Sequence, residues 1–409
     1  MYLQTITIDH QVLIGAGAFF SMPNLEEFEY SNTKLLSLLD STFANCSNLE
    51  DINSEAPIIY IGSDCFFNCS SLEDFDTKSV EFIGSRAFER CSSLKSLDLS
   101  SCRQISDNSF FGCKKLKEIT FSNKLTSIGK ECFLWTAIEN VQIESNFHYN
   151  IESYAFSYCE ELETVSLGPG ITELKDMTFS YTSLKKIILP ETISKIESSA
   201  FLCITHSFEV KIDSRNPIFI STTNGVLNKN TKALVVSTYF DEKATLPNET
   251  VFIDGDTVLN GVDANERFFS MRSEGAPIVE VPSSVLYIKD DSLIQSQYLY
   301  SLCIEGNHLI YDKLINFDYT TYVKSSYKFP IMDLEPNYKE CGTEPYYANS
   351  DFRGVFGLKK NEIFLVISIC IVSGTFIAFL VYFLVVHKQV CKKKEKKQEA
   401  GMFDVEFSE

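Results

Sequence analysis

The chain has 409 residues and a formal net charge of −19, from 36 basic and 55 acidic side chains. Such an acidic surface repels phosphate backbones, so nucleic acid is excluded as an expected partner and cationic surfaces are favoured. The five histidines are scattered, and the 13 cysteines include no Cys-x-x-Cys pair. The sequence therefore predicts no metal site, no cofactor and no catalytic residues, and we expect a protein that is not an enzyme.

A recurring aromatic position divides the first half of the chain into segments of nearly equal length. Its members are Phe19, Phe43, Phe66, Phe88, Phe110, Phe133, Phe156, Phe179 and Phe201. Successive members are 22 to 24 residues apart, and a short leucine-rich strand pattern recurs at the same step. This period predicts a leucine-rich repeat solenoid, in which each coil buries its apolar face against its neighbours. We expect short parallel strands on one face, with turns and short helical segments on the other.

Two stretches identify the repeat type more closely. One runs Ile83-Gly-Ser-Arg-Ala87-Phe88-Glu-Arg-Cys91, and the other runs from Ile187 through Pro190 and Ile196 to Phe201. Both resemble the unit of the BspA-like leucine-rich repeat family, also called the TpLRR class, and the resemblance covers residues 1 to about 205. That family contains surface antigens of oral bacteria and mucosal protists. The resemblance implies a surface protein, because some members adhere to host cells, matrix proteins or other microbes.

Changes in the repeat pattern divide the chain into six segments. They are regular repeats at 1–205, a non-repeat island at 206–245, degenerate repeats at 246–305, a C-terminal cap and stalk at 306–362, a transmembrane helix at 363–386 and a cytoplasmic tail at 387–409. Asn224-Gly225 within the island predicts the turn of a β-hairpin.

The segment from Ile363 to Val386 decides the expected location. It contains 24 residues and no charge, whereas about 20 apolar residues suffice to cross a bilayer. Six lysines between 388 and 397 follow it, which marks the cytoplasmic side. We expect a single-pass plasma-membrane protein with its N-terminal repeats outside, similar to the protist (trichomonad-type) branch of the family.

The start of the chain leaves the secretion route open. Residues 1–8 already fit a repeat strand and lack the basic and apolar regions of a signal peptide. Three explanations remain: an upstream start, secretion through the membrane helix itself, and tail anchoring with the repeats in the cytosol.

Cysteines and sequons follow the repeat. Cys46, Cys69, Cys91, Cys113 and Cys159 share one repeat position, where we expect free thiols that pack as small apolar groups. Cys303 and Cys341 flank the cap, where a disulfide is conceivable. Glycosylation sequons begin at Asn45, Asn68 and Asn248, and the first two arise from the repeat pattern itself.

Carboxylates dominate the solvent-facing strand positions of three early repeats. The candidate ligand-binding residues are Glu26, Glu27, Glu29, Glu50, Asp51, Glu73, Asp74 and Asp76, and we call this set the acidic face. Stacked like charges destabilise a sheet, which a cationic partner or Ca²⁺ would relieve. The alternative is a solvated surface screened by salt.

Three functions follow from these features. The first is an adhesin or surface antigen that binds an extracellular protein or a cell-surface ligand. The second is a receptor that recruits cytosolic signalling or trafficking proteins through Met402–Phe407 in its tail. The third is a structural coat protein without a specific ligand.

Overall fold

The computed structural model describes residues 3–33, 36–145, 147–202, 204, 206–238, 243–258 and 278–288, and the strand backbones at 301–304, 310–311, 320–323 and 339–340. The chain divides into two units, Met1–Glu344 and Pro345–Glu409, and every described residue belongs to the first. None of the helices within these ranges could cross a membrane. The predicted membrane helix at 363–386 and the tail at 387–409 lie outside the described residues.

A first ladder of short parallel strands follows the leucines of the repeat. Its strands are β1 (Thr5–Ile8), β2 (Glu27–Tyr30), β4 (Asp51–Ser54), β7 (Ser96–Leu99), β9 (Glu118–Phe121), β11 (Asn140–Ile143), β13 (Thr164–Leu167), β15 (Lys186–Leu189), β17 (Glu209–Ile212), β21 (Lys243–Thr245), β23 (Ile278–Val281), β25 (Ser301–Ile304), β27 (Thr320–Val323) and β28 (Lys339–Glu340). They form four sheets, β1-β2-β4, β7-β9, β11-β13-β15-β17 and β21-β23-β25-β27-β28. The predicted solenoid is confirmed.

A second, narrower ladder occupies the returning side of the coils. Its strands are β3 (Leu36–Leu38), β5 (Ile58–Ile61), β6 (Phe82–Ile83), β8 (Gln104–Ile105), β10 (Ser127–Ile128), β12 (Asn150–Ile151), β14 (Glu173–Leu174), β16 (Lys195–Ile196), β18 (Phe219–Thr222), β19 (Gly225–Asn228), β20 (Ala233–Ser237), β22 (Phe252–Val258), β24 (Tyr287–Ile288) and β26 (Ile310–Tyr311). All of these pairings are parallel except those of β19 with β18 and β20.

The expectation of short helical segments on the returning side is largely wrong. In the described part of the chain the single helix is a 3₁₀ turn, Ser198–Phe201. In the arc of backbone around each phenylalanine, alternate N–H groups bond to the next coil, and those between them bond three residues back within their own turn. The N–H of Phe43 donates to the carbonyl of Cys65 at 2.8 Å, and that of Asn45 donates to Phe67 at 2.7 Å. A helix would take those donors for itself.

The recurring phenylalanines form a continuous column through the core. Rings of successive coils stack with centroids 5.0–6.1 Å apart, from Phe19 to Phe201. Every ring from Phe43 to Phe201 is fully buried. Offset aromatic contacts at this distance add to the free energy gained by burying the rings. The residue that defines the sequence period is thus also the one that fills the centre of each coil.

Two residues per coil adopt the left-handed conformation, one two positions before the phenylalanine and one two positions after it. Over eight coils these are Gly17, Ser21, Ser41, Asn45, Asp64, Asn68, Arg86, Arg90, Asn108, Gly112, Glu131, Trp135, Tyr154, Tyr158, Met177 and Tyr181. All but two carry a side chain, which makes this conformation unfavourable. The N–H groups of those from Gly17 to Tyr158, and that of Tyr181, donate to the next coil, so the ladder offsets the local strain.

The island at 206–245 differs from the prediction in two ways. Strand β17 still pairs with β15, so the first ladder continues beyond residue 205. The hairpin of β18 and β19 has Thr223 and Asn224 as its loop, because Thr222 pairs with Gly225. The predicted turn at Asn224-Gly225 is therefore one residue too late. Gly225 serves another purpose, since a Cβ there would lie 2.4 Å from the carbonyl oxygen of Val236 on β20.

Strands also continue past residue 305, in a part of the sequence without a clear repeat. Thr320–Val323 pairs in register with Ser301–Ile304, and Tyr322–Val323 pairs with Lys339–Glu340. The first ladder thus extends into the segment that we expected to be a cap and stalk. The proposed disulfide would join Cys303 to Cys341, and Cys341 lies outside the described residues.

The left-handed positions generate a test at Gly112. Its φ is +72°, and a Cβ would approach nothing closer than Arg90 Cγ at 3.8 Å, so substitution adds strain without a clash. We expect Gly112→Val to lower the free energy of unfolding by about 1–3 kcal/mol. Gly112→Asn should cost less, because Asn tolerates this conformation and occupies the same position at Asn45 and Asn68. Urea denaturation of both variants measures the difference, and equal losses would contradict the interpretation.

Candidate functional site: the strand face

The strand face presents its side chains in columns, because the parallel strands run in register. Glu27 lies opposite Asp51, and Glu29 lies opposite Asn53. Leu25 and Phe28 of the same coil are buried, while Glu27, Glu50 and Asp51 are exposed. Neighbouring strands lie about 4.8 Å apart. The structure therefore brings the acidic residues of the second and third coils together as the sequence predicts.

The fourth coil, which carries Glu73, Asp74 and Asp76 of the acidic face, departs from the prediction. Residues 73–76 form no hydrogen-bonded strand between β4 and β7. Side-chain bonds replace the ladder here. Asp76 Oδ1 accepts the N–H of Lys78 at 3.0 Å, and the hydroxyl of the buried Thr77 donates to the carbonyl of Asp98 in the next coil at 2.8 Å. Side-chain groups of this kind compete with backbone pairing. Glu73, Asp74 and Asp76 nevertheless remain exposed.

Several carboxylates of the acidic face already have partners. Glu26 accepts a hydrogen bond from Gln4 at 2.7 Å, and Glu29 accepts one from Thr7 at 3.0 Å. Asp51 accepts one from Asn53 at 3.0 Å. These donors are neutral, so they leave the negative charge of the second and third coils uncompensated.

The acidic face ends at Lys95, which lies in the next coil and forms an ion pair with Glu73. Its Nζ lies 2.5 Å from Glu73 Oε2. This hydrogen bond lowers the pKa of the Glu73 carboxyl and raises the pKa of Lys95, and Asp74 adds a smaller electrostatic contribution to the latter. The uncompensated part of the face is therefore narrower than the sequence suggests, and centres on Glu27, Glu50 and Asp51.

Later coils of the strand face pair opposite charges instead. Lys117 Nζ lies 2.9 Å from both Glu139 and Glu161, and Lys185 lies 2.6 Å from Glu163. These ion pairs were not predicted from the sequence. The signal was present, because Lys117 and Glu139, like Glu163 and Lys185, are separated by one repeat of 22 residues. Each exposed pair adds little stability by itself, but together they neutralise this part of the face.

The cysteines of the repeat are buried free thiols, as predicted. In the described part of the chain these are Cys46, Cys65, Cys69, Cys91, Cys102, Cys113, Cys132 and Cys159. The thiols at the common repeat position donate to the carbonyl of the phenylalanine one coil earlier, as Cys91 does to Phe66 at 3.1 Å. Burial raises the pKa of Cys102 and of Cys159 to about 12. Such thiols remain protonated and unreactive near neutral pH.

The three sequon asparagines lie in two different environments. Asn45 and Asn68 are half-buried left-handed residues in adjacent coils, and Asn68 Nδ2 donates to Asn45 Oδ1 at 3.2 Å. Asn248 is exposed in the turn after Pro247. Within the described ranges no three or more His, Cys, Asp or Glu side chains form a group that could hold a metal ion. The acidic face therefore offers charge without a preformed Ca²⁺ cage.

Comparison with known proteins identifies the repeat. A family model described as the BspA type leucine rich repeat region matches residues 1–104 and 81–207, with six copies. The chain belongs to this family. No curated protein sequence matches it.

Several solved structures are similar to the chain at low sequence identity. A leucine rich cell surface protein from Faecalibacterium prausnitzii is 16% identical, with a TM-score of 0.42 over 77% of this chain and 88% of that chain. The pneumococcal vaccine antigen PcpA is 16% identical, with a TM-score of 0.38 over 74% of this chain and 87% of that one. A leucine-rich repeat protein from Bacteroides ovatus is 16% identical, with a TM-score of 0.36 over 72% and 89%. Values this low support no conclusion about function.

The buried thiols generate a test of alkaline stability. A thiol whose pKa is raised by folding stabilises the chain fully below the unfolded pKa of about 8.5, and this contribution is lost as pH rises toward the folded value. For Cys159, with a folded pKa of about 12, the loss between pH 8 and pH 10 is about 2 kcal/mol. Cys159→Thr should remove it, since Thr136 fills the same position one coil earlier.

Denaturation at pH 8 and at pH 10 measures this loss. Thr182→Ser, at the same position one coil later, provides the control and should keep the full pH dependence of the wild type. If Cys159→Thr loses as much stability as wild type, the thiol is not buried as described.

Proposed function

We propose that this chain is a cell-surface binding protein of the adhesin or surface-antigen type. Its repeats face outside, a helix at 363–386 crosses the plasma membrane, and residues 387–409 form the cytoplasmic tail. The ligand is an extracellular protein or a cell-surface component of host cells, matrix or microbes. One observation carries the proposal: among the residues that the structure describes, the exposed carboxylates of Glu27, Glu50 and Asp51 have no cationic partner, on a face whose later coils are charge-paired.

Energetic reasoning supports a binding role for this part of the acidic face. Glu27 and Asp51 lie directly opposite each other, and like charges in that relation destabilise a sheet. The same solenoid relieves such repulsion elsewhere with ion pairs between neighbouring coils, as between Lys117 and Glu139 and between Lys185 and Glu163. A cationic partner would supply the missing positive charge, and a one-signed patch would speed its approach. A coat protein without a ligand would gain nothing from grouping these carboxylates in one part of the strand face.

The receptor alternative makes a different demand on the chain. Signalling or trafficking would pass through Met402–Phe407, so it should fail when the tail is deleted, whereas adhesion should survive. The acidic face favours adhesion as the first function, because it lies in the repeats.

The adhesion proposal is tested by removing charge without changing shape. We expect cells that display Glu27→Gln, Glu50→Gln and Asp51→Asn in the full chain to attach less to epithelial monolayers and to immobilised polylysine. Wild-type attachment should weaken between low and physiological salt, because exposed charges are screened over about 8 Å at the latter. Thermal stability should hold or rise as repulsion is relieved.

A matched control separates local charge from net charge. Glu144→Gln, Glu160→Gln and Glu249→Gln remove the same number of exposed carboxylates away from the acidic face. Attachment of this control should equal that of wild type. Equal attachment by both triple variants, at equal display, would reduce the acidic face to a solvated surface.

The orientation has its own test. Protease added to intact cells should remove an epitope placed at the N-terminus and spare one placed at the C-terminus, because the lysines after residue 386 favour the cytoplasm. Permeabilised cells, in which both epitopes are cleaved, provide the control. Protection of the N-terminal epitope in intact cells would establish the cytosolic arrangement of the repeats.

A further inference from the structure

One turn of the coil recurs with the same backbone bond and a buried residue. After the first-ladder strand, the N–H of that residue donates to the carbonyl three positions earlier, at 2.9–3.5 Å. The residues in this place are Val80, Cys102, Leu125, Ile171, Ile193, Asn216, Thr250 and Val285. All are at most 1% exposed. Asn216 and Thr250 are polar, and the side-chain amide of Asn216 hydrogen-bonds to backbone groups on both its nitrogen and its oxygen.

The hydroxyl of Thr250 is unfavourable where it lies. Thr250 is fully buried, and its Oγ1 has no hydrogen-bond partner among the described residues. A buried hydroxyl without a partner loses its bonds to water and gains none in return. Valine has nearly the same shape and fills the equivalent position at Val80 and Val285. Packing therefore explains the β-branched shape of residue 250 but not its hydroxyl.

The hydroxyl acquires a purpose in the sequence Asn248-Glu249-Thr250. Asn-x-Ser/Thr is the acceptor signal for N-glycosylation, and the hydroxyl of the third residue is part of that signal. Asn248 is exposed in the turn, so it can carry a large substituent in the folded protein. We propose that Asn248 carries an N-linked glycan, and that Thr250 keeps its hydroxyl for the attachment of that glycan. This inference rests on the proposed function, because it requires the repeats to enter the secretory pathway.

The chemistry is a transfer without redox change. The side-chain nitrogen of Asn248 forms a bond to the anomeric carbon of an oligosaccharide that is carried on a polyprenyl pyrophosphate. The bond between that carbon and the pyrophosphate oxygen breaks, the amide loses one proton, and the lipid pyrophosphate leaves with the bonding electrons. Since Thr250 is buried after folding, the transfer precedes the closure of this coil.

The surface beside Asn248 suits a sugar. A groove of about 480 Å³ lies within the usual range of about 300–1,000 Å³ for ligand pockets. It is lined by Ile220, Thr222, Asn224, Leu227, Pro247 and Asn248, among others. The lining combines hydroxyl and amide groups with the exposed side chain of Ile220, and a sugar ring likewise has polar edges and an apolar face. The first sugar is placed over this groove by its bond to Asn248.

The other two sequons have a structural explanation. Asn45 and Asn68 tolerate the left-handed conformation and hydrogen-bond each other. Ser70 donates to the carbonyl of Ser47 at 3.2 Å, so its hydroxyl bridges adjacent coils. These sequons follow from the repeat, and we expect the folded protein to carry no glycan on them.

The experiment uses the full chain behind a cleavable secretion leader in insect cells. Glycopeptide mass spectrometry of the folded, purified protein should find a glycan at Asn248 and none at Asn45 or Asn68. Asn248→Gln and Thr250→Val should both abolish it, while Thr250→Ser should retain it. Thr250→Val made without glycosylation in bacteria should melt at or above the temperature of unglycosylated wild type, since it loses only an unpartnered hydroxyl. A lower melting temperature, or an unmodified Asn248, would overturn the proposal.

The groove is tested by release of the glycan. An endoglycosidase should cleave the native protein several-fold more slowly than the denatured protein, and Ile220→Gln, which removes the apolar side chain without creating a sequon, should reduce this difference. Gln142→Thr in an Asn248→Gln background provides the control, because it creates a sequon at the exposed Asn140 of the strand face. Its glycan should be released at similar rates from native and denatured protein. Equal rates at Asn248 would remove the groove from the proposal. The leader makes these results independent of the natural location, which protease treatment of intact cells tests separately.

Discussion

Hydrogen bonding from coil to coil, across a step of 22 to 24 residues, is the constraint on which the rest of this structure depends. It operates on both strand ladders and on the arc between them. Because donors of the arc bond forward to the next coil, side-chain-bearing residues such as Trp135 and Tyr154 can be held in left-handed conformations that local sterics oppose. The step also sets the ring spacing of the phenylalanine column, which fills the space that the backbone encloses.

The same constraint makes each residue a neighbour of its own equivalents. Like side chains therefore meet unless the sequence varies from repeat to repeat. For phenylalanine and cysteine the repetition is favourable, because apolar groups stack. For charged residues it is unfavourable, and the later coils offset it by pairing Lys117 with Glu139 and Lys185 with Glu163 in neighbouring coils. Glu27 and Asp51 lie opposite each other without such a pairing among the described residues, and Thr250 has a buried hydroxyl without a hydrogen-bond partner there.

The sequence predicts the fold well where the repeat is strong. The phenylalanine step, the buried cysteines and the strand positions after each leucine all follow from spacing, because one residue of each kind recurs in every coil. The predicted hairpin turn is one residue too late. The sequence suggests Gly225 as a turn residue, whereas its lack of a side chain allows the backbone of Val236 to lie close to it. The prediction of short helical segments is wrong, because residue spacing does not show whether a backbone N–H group near the phenylalanine bonds within its own coil or to the next coil.

The candidate site was predictable in outline and not in detail. The acidic columns follow from strand register, but the strand at Glu73 to Asp76 is lost to bonds made by Asp76 and Thr77, which depend on geometry. The pairing of Glu73 with Lys95 follows from the repeat step once it is applied to charges as well as to leucines. The sequence could not predict that the hydroxyl of Thr250 lacks a hydrogen-bond partner, because this depends on which groups pack around it in the folded chain.

The free state of the described cysteines has a mechanical consequence. With no cross-link among them, adjacent coils are held by non-covalent contacts, chiefly hydrogen bonds, stacked rings and the buried aliphatic core. A solenoid of this kind loses its coils one at a time, because each contacts only its neighbours. Under tension each coil would release about 22 residues, roughly 75 Å of extended chain. A cell tethered through these repeats would therefore be held by a linkage that lengthens one coil at a time under force and shortens again when the coils refold.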